Sequence, residues 1–144
     1  MRLSFRLVEA LVAAAMLAAT GSWLAPRWST AGEPVDALLT SRLASLQRRI
    51  ERFHEANGGR WPDFAARGWG TLTDRGTLIG GGFIETAPLN PAFPGPDKAS
   101  IEVAERAGVR GSPHAAWVWN VPECHLYASG FDERLGRGTG RPVD

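Results

Sequence analysis

Residues 5–26, FRLVEALVAAAMLAATGSWLAP, constrain this chain more than any other stretch. From residue 7 to residue 25 every side chain is apolar or small except Glu9, Thr20 and Ser22. A run of that length suits a tilted or slightly short membrane crossing, which takes about 20 residues. Glu9 is the informative exception. A carboxylate on such a helix costs about 3 kcal/mol at the bilayer centre and less towards the interface, so an acid there calls for a positive partner.

Arg2 and Arg6 flank the run on its N-terminal side, whereas Arg27 on the far side is followed by Glu33 and Asp36. That asymmetry predicts a cytoplasmic N-terminus with the rest of the chain across the membrane. Trp23 and Trp28 stand at the far end of the run, where indole rings either sit at the lipid headgroup level or simply pack. From the residues alone two readings stay open. One is an ordinary signal peptide or signal anchor, with a cut near Ala25 or Ala31. The other is a span in which Glu9 has a task; the apolar run is longer than a usual signal-peptide core, and a general signal gains nothing from an acid.

The short basic leader MRLS, then Phe5, then Glu9 four residues on, then an uninterrupted apolar helix pattern, resembles the precursors of type IV pilins and type II secretion pseudopilins. The resemblance implies that a prepilin peptidase cuts between Ser4 and Phe5 and that Phe5 becomes the N-methylated first residue. It also implies that Glu9 neutralises the N-terminal amine of a neighbouring subunit in a filament, a pair that lipid tolerates where it would not tolerate either charge alone. Pro26, twenty-one residues after Phe5, falls where the family bends its helix. Ser4 is a departure, because Gly or sometimes Ala usually precedes the cut.

Beyond Pro26, Leu39, Leu43, Leu46, Ile50 and Phe53 recur at alternating steps of four and three, which is one stripe down an amphipathic helix. Pro34 suits a first turn, and Asn57-Gly58-Gly59 is a stop signal. The small residues Ser29, Thr30, Ala31 and Gly32 suggest a bend between the two halves. One interrupted stem from about Phe5 to about Asn57 is the simplest account, some 80 Å long if unbroken. On the opposite face Arg48, Arg49 and Arg52 interleave with Glu51 and Glu55, which predicts a solvated face with Arg–Glu pairs at helical spacing. His54 reads as a surface histidine.

The run LQRRIERFHEANGGRWPD at 46–63, the GWGTLT at 68–73 and the FIETAPLNP at 83–91 resemble, in that order, the end of a pseudopilin stem and the proline-rich loop that leads to its sheet. Three strand-like runs follow. Ile101 and Val103 share a face in 100–104, Trp117 and Trp119 share one in 115–120, and Leu126 and Ala128 oppose His125 and Tyr127 in 125–129. A small antiparallel sheet laid on the stem stripe would bury both apolar surfaces. The tail from Glu133, rich in Gly and Arg, reads as loosely ordered.

Chain length and charge narrow the function. With 144 residues and about twenty in the span, one small domain of modest core remains. A net charge of +1 gives no support to nucleic-acid binding. Cys124 is the single cysteine and forms no internal disulfide. Cys124, His125 and His114 fall short of the four ligands of a structural zinc site. Gly80-Gly81-Gly82 lacks the Lys-Ser/Thr that follows a phosphate-binding loop. The family's major pseudopilins carry calcium near the C-terminus, yet Asp132, Glu133 and Asp144 do not form a recognisable six-oxygen pattern. No catalytic residue, metal or other cofactor is predicted, and the chain is not expected to be an enzyme.

The expected architecture is α+β and pilin-like, a long N-terminal helix with a membrane half and an amphipathic half, packed on a small antiparallel β-sheet. Its divisions are a leader at 1–4, a membrane or filament-core helix at 5–26, its amphipathic continuation at 27–59, a globular domain at 60–131 and a tail at 132–144. The resemblance implies a structural subunit of a type II secretion pseudopilus. Its partners would be the inner membrane, prepilin peptidase and other pilin-like subunits, and its domain would be periplasmic. A type IV pilus subunit and a signal-anchored or secreted binding module remain open beside it.

Overall fold

The chain divides into two units, Met1–Glu33 and Pro34–Asp144. The structure, a computed structural model, describes residues 34–139, all in the second unit. Ser4, Phe5, Glu9 and Pro26, and with them the leader and the expected span, lie outside the described residues. Among the described residues no helix is long and apolar enough to cross a membrane.

Helix α1 (Val35–Ala56) opens on Pro34, whose φ of −52° is preset for a helix entry and whose carbonyl accepts from the amides of Ala37 and Leu38 at 2.8 and 3.2 Å. It ends where Asn57 donates to the Phe53 carbonyl and Gly59 to the His54 carbonyl, with Gly58 at φ +66°, a left-handed turn that glycine makes at low cost. The buried residues of α1 are Leu39, Leu43, Leu46, Ile50 and Phe53, the predicted stripe. Its polar face differs from expectation. Among the described residues no Arg–Glu ion pair forms on α1; Arg42 donates to the Leu89 carbonyl and Arg49 to the Phe83 carbonyl at 2.5 Å. A guanidinium that reaches a fixed carbonyl on the neighbouring loop satisfies one of the loop's backbone acceptors.

Asp63 caps the single-turn helix α2 (Phe64–Arg67), its Oδ1 accepting from the Ala66 amide at 3.0 Å. Residues 68–100 contain no helix or strand and are held by side chains instead. Trp69 Nε1 donates to the Ala99 carbonyl at 2.7 Å, and Trp117 Nε1 donates to the Pro88 carbonyl at 2.9 Å. Gly70, at φ +90°, sits so close to Thr77 that a Cβ would lie 1.9 Å from its Oγ1, so no other residue fits there.

Strands β1 (Ile101–Ala104), β2 (Trp117–Asn120) and β3 (His125–Ala128) form one sheet in the order β1-β2-β3. The β2–β3 pair is antiparallel, with Trp117 opposite Ala128 and Asn120 opposite His125. The β1–β2 pair is parallel, with Ile101 opposite Trp117. The sheet is therefore mixed, which corrects the antiparallel expectation. The cause is residues 105–116, a connection long enough to carry the chain back to the starting end of β1, as a parallel neighbour requires. A second, two-stranded sheet pairs β4 (Phe131–Asp132) with β5 (Arg137–Gly138). It occupies part of the tail that composition assigned to loose chain.

The fold is thus α+β, one long helix packed on small sheets. Trp117, Trp119, Leu126 and Ala128 meet the α1 stripe together with Phe64, Trp69, Phe93 and Phe131. All four residues of β2 are buried, and on the face away from α1 Asn120 Nδ2 donates to the Arg106 and Val109 carbonyls at 3.0 Å each.

Candidate functional site

A cluster of polar side chains lies on the outward face of β3. Alternation puts His125 and Tyr127 on that face while Leu126 and Ala128 turn to the core. Residues 121–124 turn the chain from β2 into β3, with Cys124 at φ +48°, a conformation uncommon outside glycine, and they deliver Glu123 beside Tyr127. The Tyr127 hydroxyl donates to Glu123 Oε2, and Glu123 Oε1 accepts from the Gly108 amide at 2.7 Å. The Arg110 guanidinium lies 5.7 Å over the centre of the Tyr127 ring, within cation–π range. His125 Nε2 meets Glu133 Oε2 at 3.1 Å, and its ring lies 4.7 Å from that of Tyr127.

These contacts set the charges. The Tyr127 hydroxyl, and then the Gly108 amide, hold the Glu123 carboxyl below its ordinary range. Burial, followed by the hydrogen bond to Glu123, pushes the Tyr127 phenol up to about 12. The hydrogen bond to Glu133 raises His125 above its ordinary 6.5 against the opposing effect of burial. Around neutral pH the cluster is a neutral phenol and an ionised Glu123 beside His125, whose protonated form the bond to Glu133 favours.

Two concavities adjoin the cluster. An open cleft of about 540 Å³ is lined by Arg110, Tyr127, Phe131, Asp132, Glu133 and Arg134, among others. A smaller groove of about 300 Å³ runs between α1, at Leu43, Ala44 and Gln47, and the side chains of His125, Phe131 and Glu133. The cleft mixes two guanidiniums, two carboxylates and aromatic rings, a lining that suits a polar, zwitterionic segment such as a peptide. The groove is apolar with one charged rim.

Of the residues flagged in the sequence for metal chemistry, Cys124 and His125 are adjacent but His114 does not join them. Among the described residues no group of three or more His, Cys, Asp or Glu side chains could hold a metal ion. His54 stacks on Trp61 at 3.9 Å. Gly80 to Gly82 lie in turns, and a Cβ at Gly80 would stand 1.9 Å from the Asp74 carbonyl oxygen, which makes this a close-packed turn and not a ligand loop. Alternation in the sequence pairs His125 with Tyr127, and Glu133 stands out there only as a carboxylate near Asp132; neither the contact of Glu133 with His125 nor the places of Glu123 and Arg110 follow from the sequence pattern. Of these, only Glu123, two residues before His125, lies close by in sequence. Glu133 and Arg110 arrive by tertiary structure.

Comparison with protein-family models, with curated proteins and with solved structures finds no match to this chain.

Proposed function

We propose that the chain is a structural, non-enzymatic subunit of a type II secretion pseudopilus. In this reading residues 5–26 anchor it in the inner membrane with its N-terminus cytoplasmic and its domain periplasmic. The observation that carries the reading is a contrast between two apolar stretches. The stripe of α1 is fully used by its own domain, with Leu39 and Ile50 both 0% exposed. Residues 7–25, by contrast, are apolar around the whole circumference of a helix apart from Glu9, Thr20 and Ser22, so their partner is lipid or another copy of the same segment. An acid at Glu9 fits the second environment, where a neighbour's amine at Phe5 neutralises it. The type IV pilus subunit rests on the same features and differs only in the destination of the filament. The open cleft beside Tyr127 favours the alternative of a signal-anchored binding module.

The test is the N-terminus of the mature protein in membranes with and without prepilin peptidase, read by mass spectrometry, together with subunit cross-linking. A methylated Phe5 that depends on the peptidase, with cross-links abolished by Glu9→Leu, is the expected result. A start near Pro26 or Gly32 overturns it in favour of an exported domain. Unchanged cross-linking in Glu9→Leu removes the filament role.

A further inference from the structure

Residues 131–138 cross the end of the domain as a strap. Phe131 anchors one end in the core at 7% exposure, and at the other the Gly138 amide donates to Asp36 Oδ1 of α1 at 2.8 Å. Between these anchors the ladder is only two residue pairs long, Phe131 with Gly138 and Asp132 with Arg137. A two-residue ladder is marginal by itself. Asp132 Oδ1 accepts from the Arg134 and Leu135 amides within the strap's own turn, and Glu133 ties the strap to β3 at His125; both residues of that pair line the groove beside α1.

We propose that the His125–Glu133 pair is a proton-operated latch: with His125 protonated the strap is held over the groove between α1 and β3, and loss of that proton releases its Glu133 end.

Among the described residues, the groups that face His125 are Glu133 on the strap, Glu123 on the β2–β3 turn, Arg110 on the 105–116 connection and the Tyr127 ring on β3. The cross-strand partner of His125 on β2 is the neutral Asn120. From α1 the groove receives Thr40 and Gln47, both uncharged, and Glu51 reaches only the Gln47 amide, at 3.2 Å. Tyr127 stays neutral below about 12, and Glu123, with its carboxyl held low, stays ionised. The folded state raises the affinity of His125 for the proton above that of the unfolded chain, at 6.5. The latch energy is therefore fully present below 6.5 and is lost as pH rises through the raised folded value. Both side chains keep about a third of their surface in solvent, 35% and 32%, which screens the pair and limits the effect to a severalfold change.

Hydrogen–deuterium exchange of the full-length chain in detergent tests the latch, with peptides over 131–138 compared with peptides over β2 and corrected for intrinsic exchange. Between about pH 5.5 and about pH 8 the strap's protection is expected to fall by about three- to fivefold while β2 holds constant. In Glu133→Gln the strap's protection no longer depends on pH. Strap protection that is flat with pH in the unmodified chain, or that falls equally in Glu133→Gln, overturns the proposal. If Glu133→Gln lowers β2 protection and so disturbs the fold, His125→Asn provides the same readout, with a flat profile expected and an unchanged slope against the latch.

Discussion

Gln47 of α1 and Leu126 of β3, 79 residues apart in sequence, are joined by a hydrogen bond of 3.2 Å in which the Leu126 amide donates to Gln47 Oε1. The other half of the same side chain donates from Nε2 to the Cys124 carbonyl at 3.1 Å. One helix residue therefore supplies a donor and an acceptor to the backbone of β3, as a neighbouring strand would. This tie fixes β3 to the helix at the point where the apolar stripe meets the sheet, and the groove opens beside it.

Gln47→Leu keeps the volume but leaves the Leu126 amide and the Cys124 carbonyl without this partner. The expected cost is about 1–2 kcal/mol of stability. Gln47→Glu retains the acceptor for Leu126 but turns an oxygen towards the Cys124 carbonyl, so it does not restore the parent value. Chemical denaturation followed by tryptophan fluorescence checks both, and a Gln47→Leu variant as stable as the parent contradicts the strand-like role.

Asn90 is the most demanding polar residue in the domain. It is 0% exposed, and its Nδ2 donates to the Ala116 carbonyl at 2.7 Å and the Ser129 carbonyl at 2.9 Å while Oδ1 accepts from the Ala92 amide at 3.0 Å. It thereby ties the 88–93 loop to the residue before the start of β2 and the residue after the end of β3. Asn90→Ala strands the Ser129 carbonyl and the Ala92 amide, while the Ala116 carbonyl keeps the Ser129 amide at 3.0 Å; at about 1 kcal/mol or more for each buried group left without a partner, a loss of about 2 kcal/mol is expected. Asn90→Asp is expected to be at least as damaging at neutral pH, because a carboxylate would face two carbonyl oxygens. Thermal unfolding of both variants decides this, and an aspartate as stable as the asparagine rules it out.

How far the sequence announces these features depends on whether a residue's role is local. The stripe from Leu39 to Phe53 and its Gly58-Gly59 stop follow from helix periodicity and backbone conformation, and the structure has both. The three runs at 101–104, 117–120 and 125–128 likewise declare themselves by alternation. The direction of the β1–β2 pair does not, because it depends on the route of 105–116 and not on any strand residue. The β4–β5 hairpin is too short to have a period, and its Gly and Arg content resembles disordered chain. Gln47 and Asn90 look like ordinary polar residues of a helix face and a turn until the distant backbone that they satisfy is known. The residues of the filament reading, Ser4, Phe5, Glu9 and Pro26, are the most legible of all as a pattern, and they lie outside the described residues.

Tyr127 is the single tyrosine of the chain, so its ionisation can be followed without interference from another phenol. Burial and the bond to Glu123 push it up to about 12. Since the unfolded phenol ionises at 10, the folded state binds this proton more tightly, and the corresponding stability is present below 10 and lost as pH rises towards about 12. Ultraviolet titration of the folded chain, with circular dichroism to show that the helix persists, is expected to give a midpoint near 12. Glu123→Gln removes the charge but not the burial, which is the larger cause, so the midpoint should move towards 10 without reaching it. A parent midpoint at 10 contradicts the hydrogen-bonded, sheltered phenol. A Glu123→Gln midpoint equal to that of the parent assigns the whole effect to burial and removes Glu123 from the cluster.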